Sequence, residues 1–342
     1  ISFYTLQAVG YLVDTYRGEK AENNLLDFAL FVGFFPQMVS GPISRGNRLL
    51  PQLSAAKRPA FDDLQDGVLL LIWGYFLKIV VADRAALFVA AVYAPESEYE
   101  GWFYIVATLL FCLQLYGDFG GCSVMAMGTA KILGIDLIDN FNAPYFSQSI
   151  AEFWRRWHIS LSTWFRDYVY FPMGGSRCGK GKMVFNLVVV WLLTGLWHGE
   201  GVNFLLWGAI LGLLIIMEKL WYGKYLQKLP VLGHIYLVIL IPLSWVVFAI
   251  TDPGQLGTYF CRLFPLLGNG GVAVNAQDIV KYLQGYGGLL AIGIVLCIPA
   301  VFDFYEKHKK NPVVILMLFV LFWISIYFVS STAGNPFMYL NF

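Results

Sequence analysis

Charged side chains are scarce in this chain of 342 residues, where Asp, Glu, Lys and Arg together account for 13% of the sequence. A soluble globular protein carries about 25% charged residues, so too few are present here to cover a surface that faces water. The formal net charge is +1, which gives no electrostatic reason to expect a nucleic-acid partner. The shortage of charge therefore favours an integral membrane protein.

Cysteine is also scarce, and its spacing carries no motif. Five cysteines occur, and no two of them form a C-x-x-C pair. Most lie in apolar stretches, where a thiol behaves as a small hydrophobic side chain. We therefore expect free thiols and neither a disulfide framework nor a metal site. Internal repeats and low-complexity tracts are likewise not visible, so the simplest organisation is a single membrane domain over residues 1–342.

Apolar residues dominate what is present: they make up 58% of the chain, and the mean hydropathy is +0.63. A helix needs about 20 mostly apolar residues to span a bilayer, and we predict about nine such spans. They lie near 1–16, 24–42, 64–91, 102–128, 183–198, 202–221, 231–250, 286–302 and 312–330. The sequence opens at Ile1 inside an apolar stretch, so we expect that preceding residues are missing and that nine is a minimum. Residues 253–285 are rich in Pro and Gly and read as a loop with room for a surface helix.

Basic residues predict the orientation, because loops rich in Lys and Arg stay in the cytoplasm. They cluster at Arg45–Arg58, Arg155–Lys182, Lys219–Lys228 and Lys307–Lys310. Acidic residues dominate Glu96–Glu100 and recur at Glu200. We therefore place the basic clusters on the cytoplasmic side and Glu200 on the outer side.

Residues 144–175 are too polar to span a membrane and too aromatic for a free loop. The stretch SIAEFWRRWHISLSTWFRD has helical periodicity, which predicts one amphipathic helix that lies at the inner interface or re-enters the membrane. Its apolar stripe comprises Phe153, Trp157, Leu161 and Trp164. Its polar face comprises Arg155, His158, Ser162 and Arg166.

Two of the four histidines are candidates for chemistry. His158 and His198 are both flanked by Trp and both fall where helical structure is expected to break, whereas His234 and His308 are expected to be packing or solvated residues. A histidine at a membrane edge is often only structural, and that alternative stays open. Asp118, in LQLYGDFGG, is a carboxylate inside an apolar span, which marks a functional site by default. Its structural alternative is a salt bridge or a cap to a broken helix.

The stretch FWRRWHISLSTWFRDYVYFPMGGSR, followed by WLLTGLWHG, resembles the paired signature of the membrane-bound O-acyltransferases. More narrowly, it resembles the alginate O-acetylase branch, which FFPQMVSGPISR, LQLYGDFGGCSVMAMGTAKILGI and the ending NPFMYLNF also match. D-alanyl transfer proteins of teichoic acid share the RWH and WHG elements but usually lack the PMGGSR extension, which favours acetyl transfer here. One departure is visible, because the branch commonly reads DFSGYSDMAIG and this chain has Cys122 and Val124 in place of Tyr and Asp.

The resemblance implies an all-α bundle of about nine or more transmembrane helices, with re-entrant or interfacial helices around a central passage, in the plasma (inner) membrane of a bacterium. It implies transfer of an acetyl group from a cytoplasmic thioester, with acetyl-CoA as the expected donor and no permanently bound cofactor. The acceptors would be hydroxyls of an extracytoplasmic polysaccharide, reached directly or through a secreted or membrane-anchored acetyltransferase partner. Apart from these partners, only membrane lipids are expected.

The family's catalytic histidine corresponds to His198, to which the resemblance assigns the role of general base. Imidazole suits this role because its ordinary pKa lies near neutral pH. His158 would orient the acyl group, relay a proton or stabilise the oxyanion, and an acyl-histidine intermediate stays open. Trp197 and the backbone at Gly199 are candidate oxyanion donors, with Asp118 in a supporting role.

Four arginines, Arg155, Arg156, Arg166 and Arg177, are candidates for binding the donor's phosphates; plain positive-inside charge is the alternative. The helix that ends at His198 is expected to begin after Lys182 and to measure roughly 24 Å at 1.5 Å per residue. The hydrocarbon core is about 30 Å thick, so His198 is expected to lie below the outer surface. We expect a passage in which His158 lies toward the donor side.

Three other functions stay open. D-alanyl transfer is the nearest alternative within the enzyme class. A transporter would be expected to have paired halves with matching broken helices, which are not visible here. A membrane scaffold for another enzyme predicts that both histidines are replaceable.

Overall fold

The computed structural model describes residues 2–264 and 280–331, without 39, 56, 95, 96, 98 and 100 in the first range or 282, 286, 289, 290, 293, 294, 296 and 297 in the second. Several predicted features therefore lie partly or wholly outside the described residues. They are the acidic segment Glu96–Glu100, the loop at 253–285, the span at 286–302, the fifth cysteine, Cys297, and the ending NPFMYLNF.

The described part of the chain is built from helices. In chain order they are α1 (Ser2–Tyr16), α2 (Leu25–Val32), α3 (Gly46–Ala55), α4 (Phe61–Tyr75), α5 (Asp83–Tyr93), α6 (Trp102–Leu115), α7 (Gly121–Ile132), α8 (Ile150–Arg156), α9 (Ile159–Phe165), α10 (Lys180–His198), α11 (Val202–Met217), α12 (Gly223–Lys228), α13 (Pro230–Ala249), α14 (Pro253–Leu263), α15 (Pro299–His308) and α16 (Pro312–Ser331). Turns of π-helix at Phe76–Ala82, Tyr116–Gly120, Arg166–Tyr170 and Glu218–Tyr222 follow α4, α6, α9 and α11.

Five continuous helical stretches among the described residues are long and apolar enough to cross a membrane. Two of them join helices through a π-helical turn: Trp102–Ile132 (α6 and α7) and Val202–Lys228 (α11 and α12). The other three are Lys180–His198, Pro230–Ala249 and Pro312–Ser330. These helices confirm the predicted polytopic all-α membrane fold, whereas the predicted number of about nine spans is not established. The predicted span at 24–42 is instead a short helix, α2, followed by the 3₁₀ turn Phe35–Gln37. The reason is local, because Gly33 ends α2 and the next turn contains Pro36, which has no backbone N–H to continue the helix.

Helices α4 and α7 pack in close contact, which small residues permit. A Cβ atom added to Gly67 would lie 2.7 Å from the carbonyl oxygen of Gly128, and one added to Gly74 would lie 2.7 Å from that of Gly121. The π-helical turns that follow α4 and α6 face each other beside this contact. The close packing therefore fixes α7 together with the π-helical turn Tyr116–Gly120 that precedes it.

Hydrogen bonds and ion pairs place most of the predicted basic clusters on one face of the bundle. The ion pairs are Lys309–Asp66 (3.2 Å), Lys310–Asp62 (2.7 Å), Lys131–Asp63 (3.0 Å) and Arg45–Asp167 (3.0 Å). Gln52 on α3 adds a bond to the backbone oxygen of Asp136 at 3.1 Å. The shared face is what the positive-inside pattern requires, and its assignment to the cytoplasm remains a prediction.

The prediction of one amphipathic helix within 144–175 is wrong. Two short helices, α8 and α9, are separated by Trp157 in an extended conformation and His158 in a left-handed one. The predicted polar face therefore does not exist as a continuous surface, and His158 is buried rather than interfacial. The physical reason is tertiary: Trp157 forms an antiparallel bridge with Phe141, 16 residues earlier, and sequence periodicity does not report such pairing.

Candidate functional site

His158 lies at the break between α8 and α9. Its φ angle is +45°, a left-handed conformation that costs a non-glycine residue about 1–3 kcal/mol and persists only where the surroundings enforce it. The neighbouring segment supplies that enforcement. The backbone N–H of Asn142 donates to Arg156 O at 2.9 Å, and that of Ile159 donates to Asn140 O at 3.0 Å. Segment 140–142 therefore holds the turn from both sides of His158.

Asn140 also contacts the turn through its side chain, and sequence reasoning missed it. Its Oδ1 accepts the backbone N–H of Ser160 at 3.1 Å and lies 3.4 Å from Nδ1 of His158. The first backbone N–H groups of a helix have no acceptor within the helix, and His158 makes no side-chain cap bond to them. The Asn140 side chain supplies an acceptor for one of these groups in α9. Asn is a typical capping residue, yet the helix that it caps begins 19 residues later, so local sequence offered no signal.

Aromatic rings enclose the His158 imidazole, which is 1% exposed. The ring of Phe119 stands edge-on to it at 4.7 Å between centroids, and that of Trp197 lies at 5.9 Å. Burial lowers the pKa of His158 well below its ordinary value, and the His198 imidazole lowers this pKa further. His158 is therefore neutral at neutral pH and has one ring nitrogen ready to accept a proton.

His198 is the last residue of α10, and aromatic residues surround it. Ring centroids lie 4.8 Å away for Trp197, 5.1 Å for Trp207 and 5.2 Å for Phe248. Gly199 follows because a Cβ atom there would lie 2.4 Å from Cε2 of Phe204. The WHG sequence thus ends the helix and lets α11 approach the imidazole closely.

One indole connects the two histidines, because the ring of Trp197 contacts both imidazoles. Its Nε1 is buried, with no hydrogen-bond acceptor within reach in the described parts of the chain. The structure therefore brings together three of the predicted site residues, although they lie on separate elements. His234 and His308 lie elsewhere, bonded to the backbone oxygens of Ser147 and Phe304.

Asp118 takes part in an ion-pair cluster one residue before Phe119. It is 3% exposed and pairs with Lys78, whose Nζ lies 2.7 Å from its Oδ1; Lys78 also pairs with Asp83 at 2.5 Å. The structural alternative for Asp118 thus matches the geometry. Asp118 is covalently next to Phe119, and the ring of Phe119 packs on His158.

A cavity of about 730 Å³ opens beside the turn on the basic face. Arg166, one of the four predicted donor-side arginines, lines it together with Arg45 and Arg48, which sequence reasoning had not singled out. Arg155 and Arg177 are exposed, and Arg156 pairs with Glu152 at 2.8 Å. The cavity is also lined by three carboxylates, Asp136, Asp139 and Asp167.

A second cavity of about 390 Å³ lies on the other side of segment 136–140. Asn140 and Val124 both line it. Val124 stands where the alginate O-acetylase branch commonly has Asp, so that position faces the cavity but carries no charge in this chain. Cys122 nearby is buried, and among the described cysteines it is a free thiol like Cys112, Cys178 and Cys261.

Comparison with known proteins supports the resemblance. Residues 1–251 match the membrane-bound O-acyltransferase family. A probable alginate O-acetylase AlgI of Pseudomonas syringae pv. tomato is 39% identical over 91% of this chain and 60% of its own length. That of Pseudomonas putida is 32% identical over 100% of this chain and 74% of its own length.

A teichoic acid D-alanyltransferase of Bacillus subtilis is also similar. It is 30% identical over 66% of this chain and 60% of its own length. The chain thus spans 60% of the length of two of these three relatives. The two alginate O-acetylases are more similar to this chain and cover more of it.

Proposed function

The chain belongs to the membrane-bound O-acyltransferase family, and from this premise we propose that it transfers an acetyl group from a cytoplasmic thioester to hydroxyls of an extracytoplasmic polysaccharide. The observation that carries the proposal is the arrangement of His158 and His198 around one indole, Trp197. Both imidazoles lie in apolar surroundings, where proton transfer is shielded from water.

The reaction follows from ordinary acyl-transfer chemistry. His198 accepts the proton of the attacking hydroxyl as its oxygen forms a bond to the thioester carbonyl carbon. The tetrahedral intermediate then collapses, the carbon–sulfur bond breaks, and the departing thiolate takes the proton back from the imidazolium. The buried N–H of Trp197 is a candidate donor to the oxyanion. Transfer through an acyl-histidine, or through a partner acetyltransferase, obeys the same proton balance.

The donor is proposed to approach from the basic face, through the cavity that Arg45, Arg48 and Arg166 line. Asp167 already pairs with two of these arginines, at 3.0 Å from Arg45 and 2.7 Å from Arg166. These contacts hold the guanidinium groups in place, while Arg48 makes no side-chain hydrogen bond that the described residues reveal. Arginine forks of this kind suit the phosphates of acetyl-CoA.

D-alanyl transfer is the second candidate, and the PMGGSR extension argues against it. The extension forms an ordered turn on α10, where Asn186 is fully buried and its Nδ2 donates to the backbone oxygens of Met173 and Gly175 at 3.2 and 3.3 Å. These bonds anchor the turn to α10, although most of the turn itself is exposed. This feature and the higher identity to the two alginate O-acetylases favour acetyl transfer.

The test compares His198→Ala with His308→Ala in the full-length protein, reconstituted in vesicles with radiolabelled acetyl-CoA. We expect the first variant to lose at least about 100-fold in acyl transfer and the second to keep full activity. Near-normal transfer by well-folded His198→Ala would favour the scaffold alternative. Label transfer only from a D-alanyl carrier protein would favour D-alanyl transfer instead.

A further inference from the structure

We propose that Asn140 is a positioning residue for His158, which holds the proton on Nδ1 and leaves Nε2 to accept a proton during acyl transfer. The inference rests on the proposed function. It deepens that function by giving one of the two histidines a defined tautomer. Four observations support it: the identity of the facing atoms, the turn, the environment of Nε2 and the charges nearby.

The orientation of the Asn140 amide is fixed by chemistry. Its side-chain atom nearest the turn lies 3.1 Å from the backbone N–H of Ser160, and only an oxygen can accept from that donor. The same oxygen lies 3.4 Å from Nδ1 of His158. A bare nitrogen there would place two lone pairs against each other. Nδ1 therefore carries the hydrogen, and the long separation is typical of a catalytic contact before substrate binds.

The backbone gives this contact its rigidity. Asn140 is 1% exposed, and its own carbonyl oxygen accepts the N–H of Ile159 at 3.0 Å. One residue thus binds the chain immediately after His158 through both its backbone and its side chain. The left-handed turn cannot relax without breaking these bonds, so the imidazole has a fixed direction.

The opposite nitrogen of the ring is placed for chemistry. Nε2 of His158 is buried and has no hydrogen-bond partner within the described ranges. The rings that pack on the imidazole, including Phe119 and Trp197, offer it no other acceptor or charged group. A neutral imidazole with Nδ1–H and an open Nε2 is the form that can take a proton from a hydroxyl or hand one on.

The charged groups around His158 are few and can be named. His198, on α10, acts on it electrostatically. The Lys78–Asp118–Asp83 cluster adjoins Phe119 in the neighbouring π-helical turn, and Asp139 precedes Asn140 and lines both cavities. A new carboxylate at position 140 would be nearer to Nδ1 than any of these and would raise the pKa of His158.

The test uses Asn140→Asp and Asn140→Ala in the full-length protein, with Asn142→Ala as the matched control. Asn142 lies two residues away on the exposed side of the same segment and joins the turn through its backbone N–H. We expect Asn140→Ala to lose about 100-fold in kcat, within the range of a positioned acid–base group. Asn140→Asp keeps the acceptor, so it should retain activity at high pH and move the acidic limb of the pH–rate profile to higher pH.

A purely structural Asn140 predicts different results. Asn140→Ala would then lower thermal stability with unchanged activity per folded molecule, and Asn140→Asp would leave the pH profile unmoved. Either result overturns the inference, and if Asn140→Ala fails to fold, the profile of Asn140→Asp decides alone. Failure of the proposed function is distinguishable, because the wild-type protein would then show no thioester-dependent transfer in the same assay.

Discussion

His158 and His198 contact the same indole, yet the parts of the chain that carry them are built differently. His198 ends a helix of 19 apolar-rich residues and is held by aromatic packing from its own helix, α11 and α13. His158 occupies a left-handed turn between two helices of 7 residues each, held by hydrogen bonds from a distant segment. Aromatic rings surround one histidine, whereas polar tertiary contacts and a strained backbone hold the turn that carries the other.

The largest effects are expected when either histidine is replaced. His198→Ala and His158→Ala should each lose at least about 100-fold in acyl transfer. If the two act in one step, the double variant should lose little more than the worse single variant, because residues that work as a unit are not additive. Single-turnover transfer by the four proteins would measure this. Fully multiplicative losses would mean that the histidines serve separate steps.

The polar support of the His158 turn should be sensitive to Glu218. This residue is 6% exposed, and its carboxylate accepts the N–H groups of Ile150 at 2.6 Å and Ala151 at 3.0 Å, which open α8. Glu218→Ala leaves both donors unsatisfied and should cost about 1–3 kcal/mol of stability. Thermal unfolding of the purified protein would show it, with the half-exposed Glu152→Ala as a milder control. Equal losses from the two would contradict the buried cap.

The aromatic support of His198 should be sensitive to volume instead. Gly199→Ala would place a methyl group 2.4 Å from the Phe204 ring and should cost about 1–3 kcal/mol through overpacking. Gly181→Ala, at the opposite end of the same helix, meets nothing within 4 Å and should be nearly neutral. Stability and transfer rate would be measured for both, and a neutral Gly199→Ala would mean that α11 yields without disturbing the site.

The smallest perturbation tests on which side of the membrane the basic face lies. Cys178, half-buried and on the basic face, is expected to be cytoplasmic. In a variant without the other four cysteines, an impermeant thiol reagent should label it only after the cells are lysed. Labelling of intact cells would reverse the orientation and place the arginine-lined cavity outside.

Several features were predictable from sequence because they depend on local pattern. Long apolar runs predicted the helix that the structure places at Pro312–Ser330, and the WHG block marked the end of α10. The start of α10 at Lys180 makes it 19 residues long, about 28 Å at 1.5 Å per residue, which is still slightly shorter than a bilayer core of about 30 Å. The count of spans was less predictable, because short helices such as α2 are apolar without being long enough to cross.

Sequence by itself determined that this is a membrane protein of the O-acyltransferase family and that His158 and His198 are candidates for its chemistry. Those conclusions rest on composition and on contiguous motifs, which residues near in the chain are sufficient to define. Only the tertiary structure decided that His158 lies in a left-handed turn, that Asn140 faces it and that Lys78 neutralises Asp118. The physical reason is that each of these depends on partners 14 to 40 residues apart, whose hydrogen bonds and charges meet only when helices pack.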